Sequence, residues 1–113
     1  MKNISIEGTS FKGVYINTTL KRMKEVLGVD EETYSHNEDT NEKVTHEWRT
    51  RTGYPTSQPD QIITFYDYKE YRKIEDNEMI KWHVGGKNIT KVEVAKFVID
   101  EIGFEGNEVE IED

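Results

Sequence analysis

Residues 61–70, with the sequence QIITFYDYKE, are the segment that does most to decide the fold. The segment is rich in β-branched and aromatic residues, which favour β-strands. Alternate side chains point to opposite faces of a strand. One face would therefore carry Ile62, Thr64, Tyr66 and Tyr68, and the other Ile63, Phe65, Asp67 and Lys69. We predict a strand here, the strongest in the chain.

Other segments show similar alternation and are also predicted as strands: residues 3–7, 11–16, 44–52 and 79–84. The piece over residues 11–16 would be broken or bulged around Gly13. The strand over residues 44–52 would have two distinct faces, because Val44, His46, Trp48, Thr50 and Thr52 alternate with Glu47, Arg49 and Arg51.

Two helices are predicted from capping residues and helical spacing of apolar side chains. The first covers residues 18–27 and ends at Gly28, and the second begins at a capping box of Thr90 and Glu93 and ends at Gly103. Polar loops are expected at residues 30–41, 53–60 and 71–78. The acidic end of the chain would be either a weak edge strand or a disordered tail.

This order of elements indicates an α+β fold, with a single mostly antiparallel β-sheet of four to five strands and two helices packed on one face. A chain of 113 residues has the usual size of one domain. We assign residues 1–104 to a single domain and residues 105–113 to an acidic C-terminal tail.

Composition excludes several classes of function. The chain contains no cysteine, which rules out disulfides, cysteine zinc sites and thiol nucleophiles. Its formal net charge of -8 argues against direct nucleic-acid binding, which needs a basic surface. No apolar run approaches the ~18 residues that span a bilayer, and the first residues lack the apolar core of a signal peptide. We therefore expect a cytoplasmic protein with no membrane partner.

Residues 82–87 (WHVGGK) form the motif with the clearest chemical potential. Gly85 and Gly86 would let the backbone turn sharply and approach a ligand, and the helix that follows would offer free N–H groups to an anion. Lys87 would add a full positive charge. The alternative is an ordinary glycine turn between a strand and a capped helix, because short glycine motifs are weak signals.

Asp67 and Lys69 share a face of the strongest strand, and the neighbouring strand would carry His83. Opposed residues on paired strands have Cβ atoms ~5 Å apart, so Asp67 could hydrogen-bond His83 or Lys87. The alternative is that Asp67 only pairs with a cation on the solvent-exposed face. His83 and Asp67 are too few to hold a metal ion, and we expect neither a metal nor a cofactor.

Arg49 and Arg51 share a strand face, and their forked side chains suit phosphate oxygens. The alternative is a solvated face balanced by Glu47. Most of the aromatic residues belong to the core, although one or two could stack on a base.

Several of these segments together resemble a group of small phage-encoded proteins, in which EW, an IYDWK-like strand and WHIGGK follow one another. The matching residues are residues 13–15 (GVY) before the first helix, Glu47 and Trp48, residues 65–69 (FYDYK), and residues 82–87 (WHVGGK) before the closing helix. Here Tyr68 replaces Trp and Val84 replaces Ile. The resemblance covers about residues 8–102 and implies phage or prophage origin. Phage accessory proteins of this size often antagonise host defences, by masking an effector or by sequestering a nucleotide signal.

These observations lead us to expect a non-catalytic phage anti-defence protein that acts in the host cytoplasm and sequesters a small anionic, nucleotide-like ligand. A homodimer would suit this function, because a two-fold interface buries more of a small ligand. The first alternative is an acidic protein inhibitor of a host defence nuclease or effector, of the anti-CRISPR or DNA-mimic type. A small hydrolase or cyclase using His83 and Asp67 ranks last. The expected ligand-binding residues are Arg49, Arg51, Asp67, Lys69, Trp82, His83, Gly85, Gly86 and Lys87.

Overall fold

The architecture is described for residues 8–52 and 61–112 in a computed structural model. Within those ranges six strands form one antiparallel sheet in the order β2-β3-β4-β5-β1-β6. The strands are β1 Ser10–Thr19, β2 Tyr34–His36, β3 His46–Arg51, β4 Ile62–Tyr66, β5 Met79–Lys87 and β6 Val109–Ile111. The α-helices are α1 Leu20–Leu27 and α2 Lys91–Phe97; a π-helical turn at Val98–Ile102 and a 3-10 turn at Gly106–Glu108 follow.

The α+β class is confirmed, but the predicted strand number of four to five is too low. One extra strand, β2, lies inside the segment predicted as a loop over residues 30–41. Another, β6, pairs with β1 at the sheet edge, which is the ordered one of the two outcomes left open for the acidic end. Both strands are only three residues long, so neither has a strong local signal.

Strand β1 contains the predicted irregularity. Its pairing with β5 shifts between Phe11 and Val14, and Gly13 has a φ of 77°, a conformation that glycine adopts without strain. The strand predicted over residues 3–7 and the loop predicted over residues 53–60 lie outside the described residues.

Both predicted helices are present and are capped as expected. The Thr19 side chain accepts a hydrogen bond from the Arg22 backbone at the start of α1. At the start of α2, Thr90 and Glu93 form a complete capping box. The π-helical turn that extends α2 ends at Gly103, which has a left-handed φ of 106°.

One face of the sheet and both helices contribute side chains to a single apolar core. Strand residues of the core include Ile16, Trp48, Phe65 and Trp82, and helix residues include Met23. We call this side of the sheet the core face and the opposite side the outer face. No helix in the described part of the chain is long and apolar enough to cross a membrane.

The segment that follows Gly103 is attached to the rest of the fold. Phe104 is buried in the core, and the Arg22 guanidinium forms an ion pair with Glu108 at 3.1 Å. Strand β6 then continues the sheet beyond β1. The acidic residues near the end of the chain are thereby brought to the edge of the outer face.

Candidate functional site

The outer face carries a row of polar and aromatic side chains across five strands. Cross-strand pairing aligns Glu47 with Tyr66, Tyr66 with His83, His83 with Tyr15, and Tyr15 with Glu110. Residues that are paired directly in antiparallel strands point to the same face of the sheet. The row therefore places His83 in the middle of the outer face.

Four aromatic rings surround the imidazole of His83, and we call these five side chains the aromatic cluster. Ring centroids lie 5.2 Å from His83 for Phe11, 5.0 Å for Tyr15, 5.6 Å for Tyr66 and 5.2 Å for Tyr68. Such distances are those of stabilising aromatic contacts. Phe11 and Tyr68 are 39% and 38% exposed, so the cluster offers ring surface to a ligand.

The imidazole of His83 is a neutral group within this cluster. Burial lowers its pKa below the usual histidine value, because the charged form loses its hydration. Within the described part of the chain, its buried Nδ1 atom has no hydrogen-bond partner. His83 therefore offers an aromatic ring surface, and its Nδ1 atom is buried.

A cavity of about 210 Å³ opens beside the aromatic cluster, and we call it the outer-face cavity. Its walls include Phe11, Val44, Glu47, Thr64 and Tyr66. Gly85 lies between Thr64 and Phe11 in the strand pairing. Because Gly85 has no side chain, the Thr64 hydroxyl and the Ser10 carbonyl can approach its backbone closely at this point of the outer face.

Glu47 provides the charge at this cavity, and Arg49 is its ion-pair partner. The Arg49 guanidinium donates to Oε1 of Glu47 at 3.1 Å, and both side chains are 17% exposed. Burial raises the pKa of Glu47, and the positive charge of Arg49 opposes that rise. Arg49 also donates to the Ser35 hydroxyl. The pair is thus a fixed, partly desolvated ion pair.

Several predicted site residues share the outer face. Strand pairing aligns Arg49, Thr64 and Gly85 in one row across the sheet. It aligns Arg51, Ile62 and Lys87 in a second row. His83 and Lys87 are separated by roughly 13 Å along β5, at ~3.3 Å per residue. The predicted residues Arg49, Arg51, His83, Gly85 and Lys87 therefore lie along one elongated surface and not around a single point.

Lys69 lies at the edge of this surface. Its ammonium group is 5.2 Å from the centroid of the Tyr68 ring, a cation–π contact. Its backbone has a φ of 57°, and its N–H donates to the Lys43 carbonyl. The positive φ shows that the chain has left the strand, which ends at Tyr66 and not at residue 70 as predicted.

Asp67 does not make the predicted contact with His83 or Lys87. It is 1% exposed, and its carboxylate accepts hydrogen bonds from the Thr45 backbone and hydroxyl and from the His46 backbone. These bonds hold the start of β3 against the end of β4. Asp67 is therefore a structural residue with its acceptors occupied, and it neither orients His83 nor pairs with a cation at the surface.

Trp82 belongs to the core face. It is fully buried, and its indole N–H donates to the Thr18 carbonyl at 3.0 Å. A ligand on the outer face cannot reach it. The predicted contact of Trp82 with such a ligand is therefore wrong, and Trp82 is a core residue.

The glycine pair does not form the predicted turn. Gly85 and Gly86 lie inside β5, which continues to Lys87, and the backbone first leaves the strand at Asn88, with a φ of 62°. A Cβ on Gly86 would lie 2.7 Å from the Ile89 side chain, so Gly86 packs against the core. The carboxylate of Glu93 already accepts from the Thr90 backbone at the start of α2. The capping box therefore occupies the backbone N–H groups of Thr90 and Glu93 at this helix end.

The aromatic cluster had only a general signal in the sequence, and Glu47 had none as a cavity residue. Tyr66 and Tyr68 alternate with the core residue Phe65, and this alternation could have placed them beside His83. Phe11 and Tyr15 could not be placed, because their position depends on the pairing of β1 with β5.

A second cavity, of about 240 Å³, lies next to β2 and β3 and is lined by His36, His46, Arg72 and Lys73 among others. The Arg72 guanidinium is already paired with Glu70 and Glu78. Its charge is thus compensated within the protein, as the charge of Arg49 is by Glu47. In the described ranges, no three His, Asp or Glu side chains are grouped so that they could hold a metal ion.

Comparison with known proteins adds no further assignment: no protein-family model matches the chain, and neither a curated protein nor a solved structure matches it.

Proposed function

We propose that the outer face of the sheet binds a small anionic, nucleotide-like ligand and holds it without chemical change, as a phage protein that removes a defence signal in the host cytoplasm would do. The observation that carries this proposal is the aromatic cluster around a neutral His83, beside a cavity and on the same face as Arg49, Arg51 and Lys87. The phage assignment rests on the resemblance over residues 8–102.

The rings supply the contacts for a base. Stacking of a base on an aromatic side chain contributes about 1–3 kcal/mol, and it needs an accessible ring face. Phe11 and Tyr68 are the most exposed rings of the cluster. A base in the outer-face cavity would lie against Phe11 and Tyr66, which are two of the cavity walls.

The cationic residues supply the contacts for phosphate. Arg51 and Lys87 lie at the end of the face away from the aromatic cluster, so an extended ligand would place its base and its phosphate at opposite ends. The net charge of -8 repels an anion at long range. That repulsion is screened beyond a Debye length of ~8 Å at physiological salt, whereas contacts in a partly buried site are screened much less.

The arrangement around His83 favours binding over catalysis. A histidine that transfers protons is normally oriented by a carboxylate or a similar group. Asp67, the predicted partner, has its carboxylate on Thr45 and His46. This supports a ring surface and not a general base at His83.

The proposal is tested by thermal unfolding of the full chain with mono-, di- and cyclic nucleotides. A ligand at 100 times its dissociation constant adds about 2.7 kcal/mol, which for a domain of this size raises Tm by roughly 10 °C or more. Mass spectrometry of the released ligand should recover it intact. A flat panel would overturn the proposal, and recovery of a converted product would replace binding with catalysis.

Variants locate the site. Arg49→Ala and Lys87→Ala should weaken binding while the unliganded protein stays folded, because both side chains lie on the outer face. Lys96→Ala is the matched control, since Lys96 is an exposed cation on α2. Full affinity in both outer-face variants would show that the ligand binds elsewhere.

The second candidate function is inhibition of a basic host defence protein, and one observation favours it. The Lys81 ammonium lies 4.1 Å from the Tyr15 ring centroid and pairs with Glu110 at 3.2 Å. A cation of the chain itself thus uses rings and carboxylates that a partner's basic side chain could also use. This candidate predicts binding that weakens with salt and after joint neutralisation of Asp30, Glu31 and Glu32, together with a flat nucleotide panel.

A further inference from the structure

Among the described residues that line the outer-face cavity, Glu47 is the only charged one. Its Oε1 atom accepts from Arg49, and no other hydrogen bond to this carboxylate forms within the described part of the chain. A carboxylate has about four lone-pair sites, so both oxygens can accept further hydrogen bonds. The cavity therefore presents an unfilled acceptor that Arg49 holds in place.

The neighbours of Glu47 restrict what can fill this acceptor. Tyr66 is its directly paired neighbour on β4, and Phe11 is another wall of the cavity. Glu47, Tyr66 and Phe11 all line the same cavity of about 210 Å³, so a planar ring held in it would contact the carboxylate and both aromatic rings. The matching group is a flat ring with N–H donors on the edge that faces Glu47.

Common bases differ in the donors on that edge. Guanine presents a ring N–H and an adjacent amino group, and two parallel N–H donors match the two oxygens of a carboxylate. Adenine and cytosine present an amino group beside an acceptor nitrogen, and uracil presents one N–H between two carbonyls. An acceptor next to a carboxylate oxygen is repelled, because a carboxylate offers no proton.

We propose that Glu47 is the residue that selects the base, and that the base is guanine. This inference rests on the proposed function, because it assigns a base to the same outer-face site. With the base edge on Glu47, the phosphate end would extend toward Arg51, about 13 Å farther along β3. The ligand class is therefore a guanine nucleotide.

The experiment is isothermal titration of the full chain with GMP, IMP and AMP. IMP keeps the ring N–H of guanine but lacks its amino group, and AMP lacks both of these donors and presents an acceptor nitrogen beside its own amino group. A hydrogen bond to a charged group corresponds to roughly 10- to 100-fold in affinity. GMP should bind best, IMP about 10- to 100-fold more weakly, and AMP more weakly again.

Glu47→Gln tests the residue, because glutamine keeps the shape but replaces one acceptor oxygen with a donor. The variant should lose most of the preference of the site for GMP over AMP. Glu110→Gln is the matched control, since Glu110 is a carboxylate of the outer face at β6 and does not line the cavity. Glu47→Asp retains the carboxylate but shortens the side chain that packs against Arg49. This variant should bind all three nucleotides more weakly and should keep the preference for GMP over AMP.

The outcomes separate this inference from the function on which it rests. Equal binding of all three nucleotides, or tighter binding of AMP, overturns the assignment of guanine and leaves nucleotide binding standing. An unchanged preference in Glu47→Gln overturns the assignment of Glu47. If none of the three nucleotides binds, and no other nucleotide of the wider panel binds either, both proposals are overturned.

Discussion

The hydroxyl of Tyr34 lies 2.7 Å from Nδ1 of His46, and both groups are held in their neutral forms. Burial raises the pKa of Tyr34 to about 12. Burial also lowers the pKa of His46 to about 4, and repulsion from His36, whose ring stacks on it at 4.2 Å, adds to the shift. The contact joins β2 to β3 at the edge of the sheet.

This contact predicts that the protein loses stability in mild acid. An unfolded histidine has a pKa near 6.5, so between pH 6.5 and about 4 the unfolded chain binds a proton at His46 that the folded chain does not bind. Stability due to this group is present above pH 6.5 and is lost as the pH falls toward 4. We expect this loss to approach about 3 kcal/mol, and urea unfolding at several pH values would measure it.

Replacement of His46 isolates this contribution from that of the carboxylates, which titrate in both proteins. The parent should lose more of its unfolding free energy than His46→Gln as the pH falls from 7 to 4.5. The difference in unfolding free energy between the two proteins should therefore shrink steadily over this range. In His36→Gln the loss of stability toward acid should also be smaller than in the parent, but by less than in His46→Gln. This variant removes only the repulsion from His36 and leaves His46 buried. Parallel stability curves for the parent and His46→Gln would contradict the prediction.

Asp67→Asn should be among the most destabilising single changes to a polar residue. The buried carboxylate accepts from the Thr45 backbone at 2.8 Å, from the His46 backbone at 2.8 Å and from the Thr45 hydroxyl. Asparagine would place an amide donor against one of these donors, at a cost of about 2–4 kcal/mol. The urea midpoint should fall accordingly. Asp100→Asn, at an exposed position, should change stability by no more than ~0.5 kcal/mol.

Local patterns were sufficient to predict much of this fold. The alternation around Trp48 assigned Glu47, Arg49 and Arg51 to one face, and the structure buries Trp48 and leaves those residues on the other. The bulge near Gly13 and the capping box of Thr90 needed only neighbouring residues. These features depend on backbone conformation and side-chain direction, which short stretches of sequence determine.

What the sequence could not predict depends on contacts between distant segments. Gly85 is a strand residue because Thr64 and the Ser10 backbone approach it from neighbouring strands. The acceptors of Asp67 are filled by Thr45, which is close only after β3 and β4 pair. The aromatic cluster similarly requires the strand order that brings β1 next to β5.

Trp82→Phe tests whether Trp82 serves the core alone. The change removes the hydrogen bond to the Thr18 carbonyl and leaves a small void in a fully buried place. Stability should fall by about 1–3 kcal/mol. Affinity for a nucleotide on the outer face should stay within about twofold under conditions where the variant is folded, since Trp82 lies on the opposite face. A large loss of affinity with unchanged stability would return Trp82 to the site.

Gly85→Ala should destabilise the sheet. An added Cβ would lie 2.8 Å from the Thr64 hydroxyl oxygen and 2.9 Å from the Ser10 carbonyl oxygen, and the latter belongs to a paired strand and cannot rotate away. The expected cost is about 1–3 kcal/mol in urea unfolding. Gly106→Ala is the matched control, because no atom lies within 4 Å of the Cβ position there. It should be close to neutral.

A double variant shows which of the two contacts dominates. Thr64→Ala removes the hydroxyl but leaves the Ser10 carbonyl, so Gly85→Ala should cost less in the Thr64→Ala background than in the parent. Coupling between touching residues is usually 0.5–3 kcal/mol, which a double-mutant cycle resolves. If the two changes are additive, the backbone of β1 alone requires glycine at position 85. If Gly85→Ala is as neutral as Gly106→Ala, the close approach of β1, β4 and β5 at this point is wrong.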